Sequence, residues 1–453
     1  MASLAWLFDC LDQQLFIIAR GPAITALMPP GTASDIIKKL GGETTMWFVL
    51  GWATGGLIFG ALGDRIGRAK TLTLTVLLYS VFTGLSALSH NVFEFSLYRF
   101  VTGLGVGGVF GLAVALVADG LPDRTRPHAL GVLQALSAVG NVAAGLIAIL
   151  IGWSKASHAP APAGAAVAVD NSWKYMFLIG SLPAFLCVFL QVRLKEPEKW
   201  VAARAAGKIT GVRFGSYASL FGEARWRKNA LLGMLLCLSG VVGLWGIGFF
   251  SPELVNDVIG KVLKAENVPA AQIPGKRLMW TGINMIMQNS GAFLGMLTFT
   301  RAAHLYGRKR VFAVASVAAV VSTIAVFQLL SKPWHIFVLT PIMGFCQMSL
   351  FAGFAIYLPE LFPTHLRSTG TSFCYNVGRF IAATGPFTLG TLQAVLAAGA
   401  TEKLGKGAEA AAIAAAKLEA FRNAACWMSL VYLIGLAALP FLPETKGQPL
   451  PED

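Results

Sequence analysis

The chain has 453 residues, of which 55% are hydrophobic and 13% charged, with a net charge of +14. A soluble domain carries about 25% charged residues, so this composition excludes a water-solvated globular fold and fits a chain solvated by lipid. The basic excess would point to nucleic acid in a soluble protein; here Lys and Arg gather in a few short loops, which membrane topology explains without a nucleic-acid partner.

Twelve apolar stretches approach the ~20 residues that span a bilayer core. They lie near 4–27, 45–63, 71–89, 94–117, 129–152, 174–194, 230–252, 279–300, 311–330, 335–358, 369–396 and 423–442. The predicted fold is an all-α integral membrane protein with twelve transmembrane helices. The long gap after the sixth stretch divides it into an N-terminal six-helix bundle (1–194), a linker (195–229) and a C-terminal six-helix bundle (230–453).

The first span holds Asp9, Asp12 and Arg20 and lacks a basic leader, which argues against a cleaved signal peptide. At 100° per residue, Asp9 and Arg20 fall within about 20° of each other and Asp12 about 60° to one side. One face therefore carries all three charges, with about 16 Å of axial rise between Asp9 and Arg20. The chain enters the membrane almost at Met1, which points to a cytoplasmic leader outside this sequence.

GALGDRIGRAK, Gly60 to Lys70, joins the second and third spans. Gly63 and Gly67 permit a tight turn, and Asp64 suits a helix N-terminus. The fourth span opens with RFVTGLGVG, Arg99 to Gly107, where Gly103 and Gly107 give a smooth strip for a neighbouring helix. The fifth aligns Gln134, Asn141 and Gly145 on one face. KEPEKW, Lys195 to Trp200, follows the sixth. On the seventh, Trp245, Phe249 and Phe250 face either a cavity or lipid.

The eighth span aligns Asn284, Gln288, Gly291 and Gly295. TRAAHLYGRKR, Thr300 to Arg310, follows it as a degraded copy of the first loop, with His304 in place of Asp64 and Leu305 in place of Arg65. YLPELFPTHLRSTG, Tyr357 to Gly370, joins the tenth and eleventh spans. The eleventh aligns Ser372, Asn376, Arg379 and Ala383. The Ala-rich stretch 397–422 favours an extra helix, and PETKG, Pro443 to Gly447, follows the last span.

With both termini in the cytoplasm, the inside segments collect Arg65, Arg68, Lys70, Arg124, Arg126, Arg301, Arg308, Lys309, Arg310 and Arg367, and the linker adds eight more basic residues, from Lys195 to Lys228. That is the orientation the positive-inside rule selects. Long loops follow spans 1, 5, 7 and 11 and very short ones follow spans 3 and 9, so loop length repeats with a six-helix period. Such a repeat implies two bundles related by a pseudo-twofold axis, with a solute site at the midplane. The six cysteines are scattered through apolar segments with no metal-ligand spacing. No nucleophile motif or nucleotide-binding loop is present, so neither an enzyme nor an ATP-driven pump is expected, and no cofactor.

GALGDRIGRAK resembles the signature loop of the major facilitator superfamily, and RFVTGLGVG resembles another of its motifs. KEPEKW and PETKG are similar to paired signatures of sugar porters. YLPELFPTHLRSTG looks like the corresponding loop of sugar porters, aromatic acid–proton symporters and metabolite–proton symporters. FDCLDQQLF, Phe8 to Phe16, resembles the first-helix pattern of sugar porters and aromatic acid symporters, with Asp12 at the acidic position. The resemblance covers nearly the whole chain. It implies a multi-pass transporter of the cell membrane, the inner membrane in a bacterium, working as a monomer.

It further implies that Asp12 faces Arg99 and couples transport to protons, and that Gly60, Gly63, Asp64, Arg65, Gly67 and Arg68 form a conformational latch. Ionisable groups within a span usually face the interior or a water-filled cavity. Arg379 suits a carboxylate by its planar fork, and similar aromatic acid symporters have an arginine in that stretch. Arg20, Asn141, Asn284, Gln288 and Asn376 complete the expected contacts, with interhelical packing as the other reading of these amides. The expected activity is proton-coupled symport of a small organic anion by alternating access. The alternative is a sugar or polyol porter, either proton-coupled or facilitative.

Overall fold

The computed structural model describes residues 2–157, 171–182, 194–247, 251–404 and 410–451. Among these residues, the regular structure is helical throughout. Before the linker come α1 (Ala2–Leu27), α2 (Ser34–Ile66), α3 (Arg68–Ser86), α4 (Val92–Gly120), α5 (Arg126–Ser157) and α6 (Ser172–Gly180). The linker contains α7 (Glu198–Thr210) and α8 (Tyr217–Gly222). Then follow α9 (Ala224–Gly246), α10 (Ser251–Ala265), α11 (Ile273–Tyr306), α12 (Arg308–Leu329), α13 (Ile336–Tyr357) and α14 (Arg367–Ala382). The series ends with α15 (Gly385–Leu404), α16 (Ala410–Ser429) and α17 (Tyr432–Ala438).

Nine helices among the described residues are long and apolar enough to cross a membrane. The helix over the eighth predicted span, α11, falls outside that set although it has 34 residues, because Asn284, Gln288 and Asn289 lower the hydropathy of its central part. The sixth predicted span is described only as far as 182, and the remainder lies outside the described residues. The eleventh is divided between α14 and α15, and the twelfth between α16 and α17. Two predicted loops are partly helical: α2 starts within 28–44, and α10 occupies much of 253–278. The apolar side of α10, with Leu254, Val255, Val258, Ile259 and Leu263 buried, supplies what hydropathy alone did not register.

The helices before and after the linker meet along two seams, α5 with α11 and α2 with α14. Close contact depends on missing side chains. A Cβ added at Gly107 would stand 2.1 Å from the Trp52 carbonyl oxygen, so α4 lies directly on the backbone of α2. The same device recurs between α11 and α13, where a Cβ at Gly344 would stand 1.9 Å from the Gln288 carbonyl. In lipid, where burial of apolar surface does not drive helices together, such contact provides the packing energy.

Candidate functional site

A cavity of about 320 Å³ lies between α1, α2 and α5 on one side and α9, α10, α11, α13 and α14 on the other. Amides dominate its polar wall: Gln13, Gln14, Gln134, Asn141, Gln288 and Asn289. Asn141 Nδ2 donates to Asn289 Oδ1 at 2.8 Å, a bond that crosses the α5–α11 seam. Trp6, Trp52, Phe351 and Tyr375 supply the aromatic wall. Tyr375 stacks on Phe110 of α4 at 3.7 Å between centroids, and Phe110 meets Trp6 at 5.2 Å. These rings join α1, α4 and α14 behind the cavity.

Arg379 is 1% exposed and lines this cavity. Its Nη1 donates to the Tyr375 carbonyl at 2.5 Å and to Asn376 Oδ1 at 3.1 Å. The guanidinium lies 4.0 Å from the Trp52 ring centroid and 4.3 Å from that of Tyr375. Nε and Nη2 have no hydrogen-bond partner among the described residues. A buried cation with two unused donors is costly unless something fills them. Two N–H groups of one guanidinium match the two oxygens of a carboxylate.

The structure brings Arg20, Asn141, Gln288 and Arg379 to the cavity. Arg20 Nη1 donates to Thr45 Oγ1 at 2.7 Å, and Glu253 of α10, also on the wall, acts on it electrostatically. Asn376 stands behind the wall, where it accepts from Arg379 and donates to the Ser372 carbonyl at 2.9 Å. Asn284 is fully buried off the wall, and neither amide atom has a partner among the described residues. Sequence reasoning passed over Gln13, Gln14, Asn289, Trp52 and Glu253. The first two were legible as polar residues beside Asp12; Trp52 was not, because a tryptophan in an apolar span is no signal. The side chain of Trp245, and Phe249 and Phe250, lie outside the described residues.

Asp12 and Arg99 meet away from the cavity, both fully buried, with Nη1 and Oδ2 3.9 Å apart. Arg99 is held independently: its Nε and Nη2 donate to Ser86 Oγ at 3.0 and 2.7 Å, and Nη2 to the Phe82 carbonyl at 3.2 Å. Its guanidinium also lies 4.7 Å from the Phe177 ring centroid. Among the described residues Asp12 accepts no hydrogen bond of normal geometry, although Thr83 stands near it. A Cβ at Gly180 would stand 2.8 Å from Asp12 Oδ1, so a glycine lets α6 close over the carboxylate. The pair is a loose charge contact between buried side chains, an arrangement that a proton or a small helix shift would alter.

The loop Gly60 to Lys70 sits where α2 meets α14. An additional Cβ at Gly60 would strike Ser372 Cβ at 2.4 Å, so that position needs glycine for this approach, while one at Gly63 would meet the end of the Leu112 side chain on α4. Asp64 caps α14: its oxygens accept from Thr369 N and Oγ1, both at 2.8 Å, and from Ser368 N at 3.3 Å. Negative charge at a helix N-terminus is favoured there. Arg68 donates to Asp64 at 3.2 Å and to the Thr364 carbonyl at 2.8 Å. Asp119 pairs with both Arg68 and Arg367, binding the two sides of the seam. Arg65 Nε donates to the Gly215 carbonyl of the linker at 3.2 Å.

Gly67, at φ +121°, makes the turn into α3, and Glu196 of KEPEKW accepts there from the backbone N–H of Arg68, Ala69 and Lys70 at 2.8, 3.1 and 3.2 Å. Gly307, at φ +93°, does the same before α12. Glu444 of PETKG accepts from Arg308 N at 2.9 Å and Lys309 N at 3.1 Å. Burial alone would push the Glu444 carboxyl up; the backbone N–H groups hold it below the usual range. The paired signatures thus cap equivalent helices. At His304, however, no carboxylate stands in the place of Asp64: its ring faces His128 of α5 at 5.5 Å between centroids.

Asp64→Asn is expected to leave the protein folded in the membrane and to cut transport several-fold. It removes the charge from the α14 cap and from Arg68 while keeping side-chain volume. A cysteine placed near residue 368 should become more reactive as this end opens. Wild-type transport and reactivity in the variant would rule out a latch role.

Among the described residues, nine helices of membrane length, with a polar cavity between helices from before and after the linker, fit an integral membrane transporter. The Major Facilitator Superfamily profile matches residues 16–386, and the chain belongs to that family. It is 29% identical to a metabolite transport protein of Haemophilus influenzae, over 92% of this chain and 90% of that one. It is 27% identical to the cis,cis-muconate transport protein of Acinetobacter baylyi, over 76% of each. Its fold matches the proton:xylose symporter XylE of E. coli with a TM-score of 0.72, at 18% identity over 99% of this chain and 96% of that one.

Proposed function

We propose that this transporter is a proton-coupled symporter of a small organic carboxylate, working by alternating access as a monomer. The observation that carries the reading is Arg379: a buried guanidinium on the cavity wall whose Nε and Nη2 are without hydrogen-bond partners among the described residues. A carboxylate fills those donors; a neutral solute offers no charged oxygens to the guanidinium. The muconate carrier of A. baylyi, named for a dicarboxylate, supports the same class. Asp12 carries the proton and Arg99 modulates it, while Arg20, Asn141 and Gln288 contact the rest of the solute. Asn376 acts by orienting Arg379, and Asn284 joins the wall only if α11 turns. The amide-rich wall favours, as a second reading, a sugar or polyol.

In this proposal the chain folds as twelve spans in two pseudo-symmetric bundles, 1–194 and 230–453, with the linker 195–229 and both termini in the cytoplasm. The bonded latch then closes the cytoplasmic end. Single cysteines in the linker should resist an impermeant thiol reagent added to right-side-out cells; ready labelling there would refute the orientation. The function itself is tested by reconstitution. Vesicles should take up cis,cis-muconate when the outside is made acidic, and xylose should neither enter nor compete. Xylose uptake with no response to muconate would select the second reading.

A further inference from the structure

We propose that Asp9 is the group that couples an anion bound at Arg379 to uptake of the proton. The inference rests on the proton-coupled reading above and adds to it a separate entry point for the proton. Asp9 is fully buried on α1, one turn behind the cavity wall. Gln13, which lines the cavity, donates to Asp9 Oδ2 at 3.0 Å, while Oδ1 has no partner among the described residues. Cys10, the next residue, is also on the wall.

The charges acting on Asp9 are Asp12 on its own helix and Arg379 on α14, with Cys10 the remaining titratable neighbour. From α4, Arg99 reaches Asp12 instead. From α5, the cavity receives only the uncharged Gln134, Ser137 and Asn141.

Two acids, Asp9 and Asp12, and two arginines, Arg99 and Arg379, thus balance among buried side chains. An anion that engages Arg379 takes away the positive charge nearest the cavity that offsets Asp9. Asp9 then faces Asp12 uncompensated, with only the Gln13 amide to stabilise it. One proton taken up by Asp9 restores the balance, and the loaded carrier holds the anion together with that proton. By reciprocity, a protonated Asp9 leaves Arg379 free to attract the anion. Asp12 with Arg99 is the route by which the proton moves on. This divides the work of the two aspartates: Asp9 senses the substrate, and Asp12 delivers the proton.

The test measures cis,cis-muconate binding and proton uptake together, in purified protein in weak buffer with a pH-indicating dye. Wild type should take up about one proton per ligand bound, with affinity falling by up to about tenfold per pH unit across the titration range. Asp9→Asn should still bind, with a flat pH profile and no uptake. Asp12→Asn removes only the like charge beside Asp9 and should keep proton uptake on ligand binding. Uptake that survives Asp9→Asn and disappears in Asp12→Asn would overturn the inference while leaving proton coupling intact.

A second arm needs no ligand. Arg379→Gln removes the cation permanently, so its infrared spectrum should gain the carbonyl band of a protonated carboxylic acid. That band should vanish in the Arg379→Gln, Asp9→Asn double variant. An absent band, or one indifferent to Asp9, refutes the role of Asp9. Failure of muconate to bind wild type would count against the anion reading instead, and the infrared arm would still decide Asp9.

Discussion

Asp12→Asn is expected to abolish proton-driven accumulation while preserving exchange of substrate across the membrane. A pH difference of one unit stores about 1.4 kcal/mol per proton, which supports about tenfold accumulation of a solute carried with one proton. In the variant that ratio should fall to about one. The structure gives reasons to expect a folded protein. Asparagine keeps the side-chain volume beneath Gly180, and Arg99 retains its bonds to Ser86 and the Phe82 carbonyl. Removing one member of a buried pair is usually destabilising; here those independent partners and the Phe177 ring lessen the cost. Exchange should persist because it never requires an empty carrier to return. Counterflow and pH-driven uptake measured on the same vesicles separate the two activities. Uphill, pH-dependent uptake by Asp12→Asn would assign the proton to another residue.

Arg379→Lys is expected to weaken binding of a carboxylate by roughly ten- to a hundredfold without unfolding the protein. The substitution keeps the charge and loses the planar fork, so a two-bond contact becomes a point contact. Hydrogen bonds to charged groups contribute about 1.5–3 kcal/mol, which sets the range. The aromatic surroundings sharpen the effect. The guanidinium carbon lies over both the Trp52 and Tyr375 rings, at 4.0 and 4.3 Å from their centroids, and an ammonium lacks the planar group that suits such contacts. Asn376 would lose its partner as well. Titration of wild type and variant with muconate and with xylose decides the matter. If xylose binds, muconate does not, and the lysine variant matches wild type, the anion hypothesis is wrong and Arg379 is a structural cation.

GALGDRIGRAK marked Asp64 as an anion for a helix end, but not which helix. The partner, α14, begins about 300 positions later, and only the fold brings Ser368 and Thr369 to its oxygens. KEPEKW and PETKG were legible as a pair; that Glu196 and Glu444 each cap the helix after a positive-φ glycine was not. Their likeness supports the repeat inferred from loop lengths.

By itself the sequence determined the solvent, the helical class and the family. Lipid selects for long apolar segments and for internally bonded backbone, and both are properties of consecutive residues. It also singled out Asp12, Arg99 and Arg379, since a charge inside an apolar span is conspicuous at any position. Tertiary structure decided the rest. It set Asp12 against Arg99 but outside the cavity, placed Arg379 on the wall with two donors unused, and left Asn284 behind that wall. It also buried Asp9, which the sequence alone could equally place at a helix end near the interface. Helical periodicity fixes which residues share a face; which face meets another depends on contacts between helices far apart in the chain, above all the glycine-lined approaches of α2 to α4 and α11 to α13.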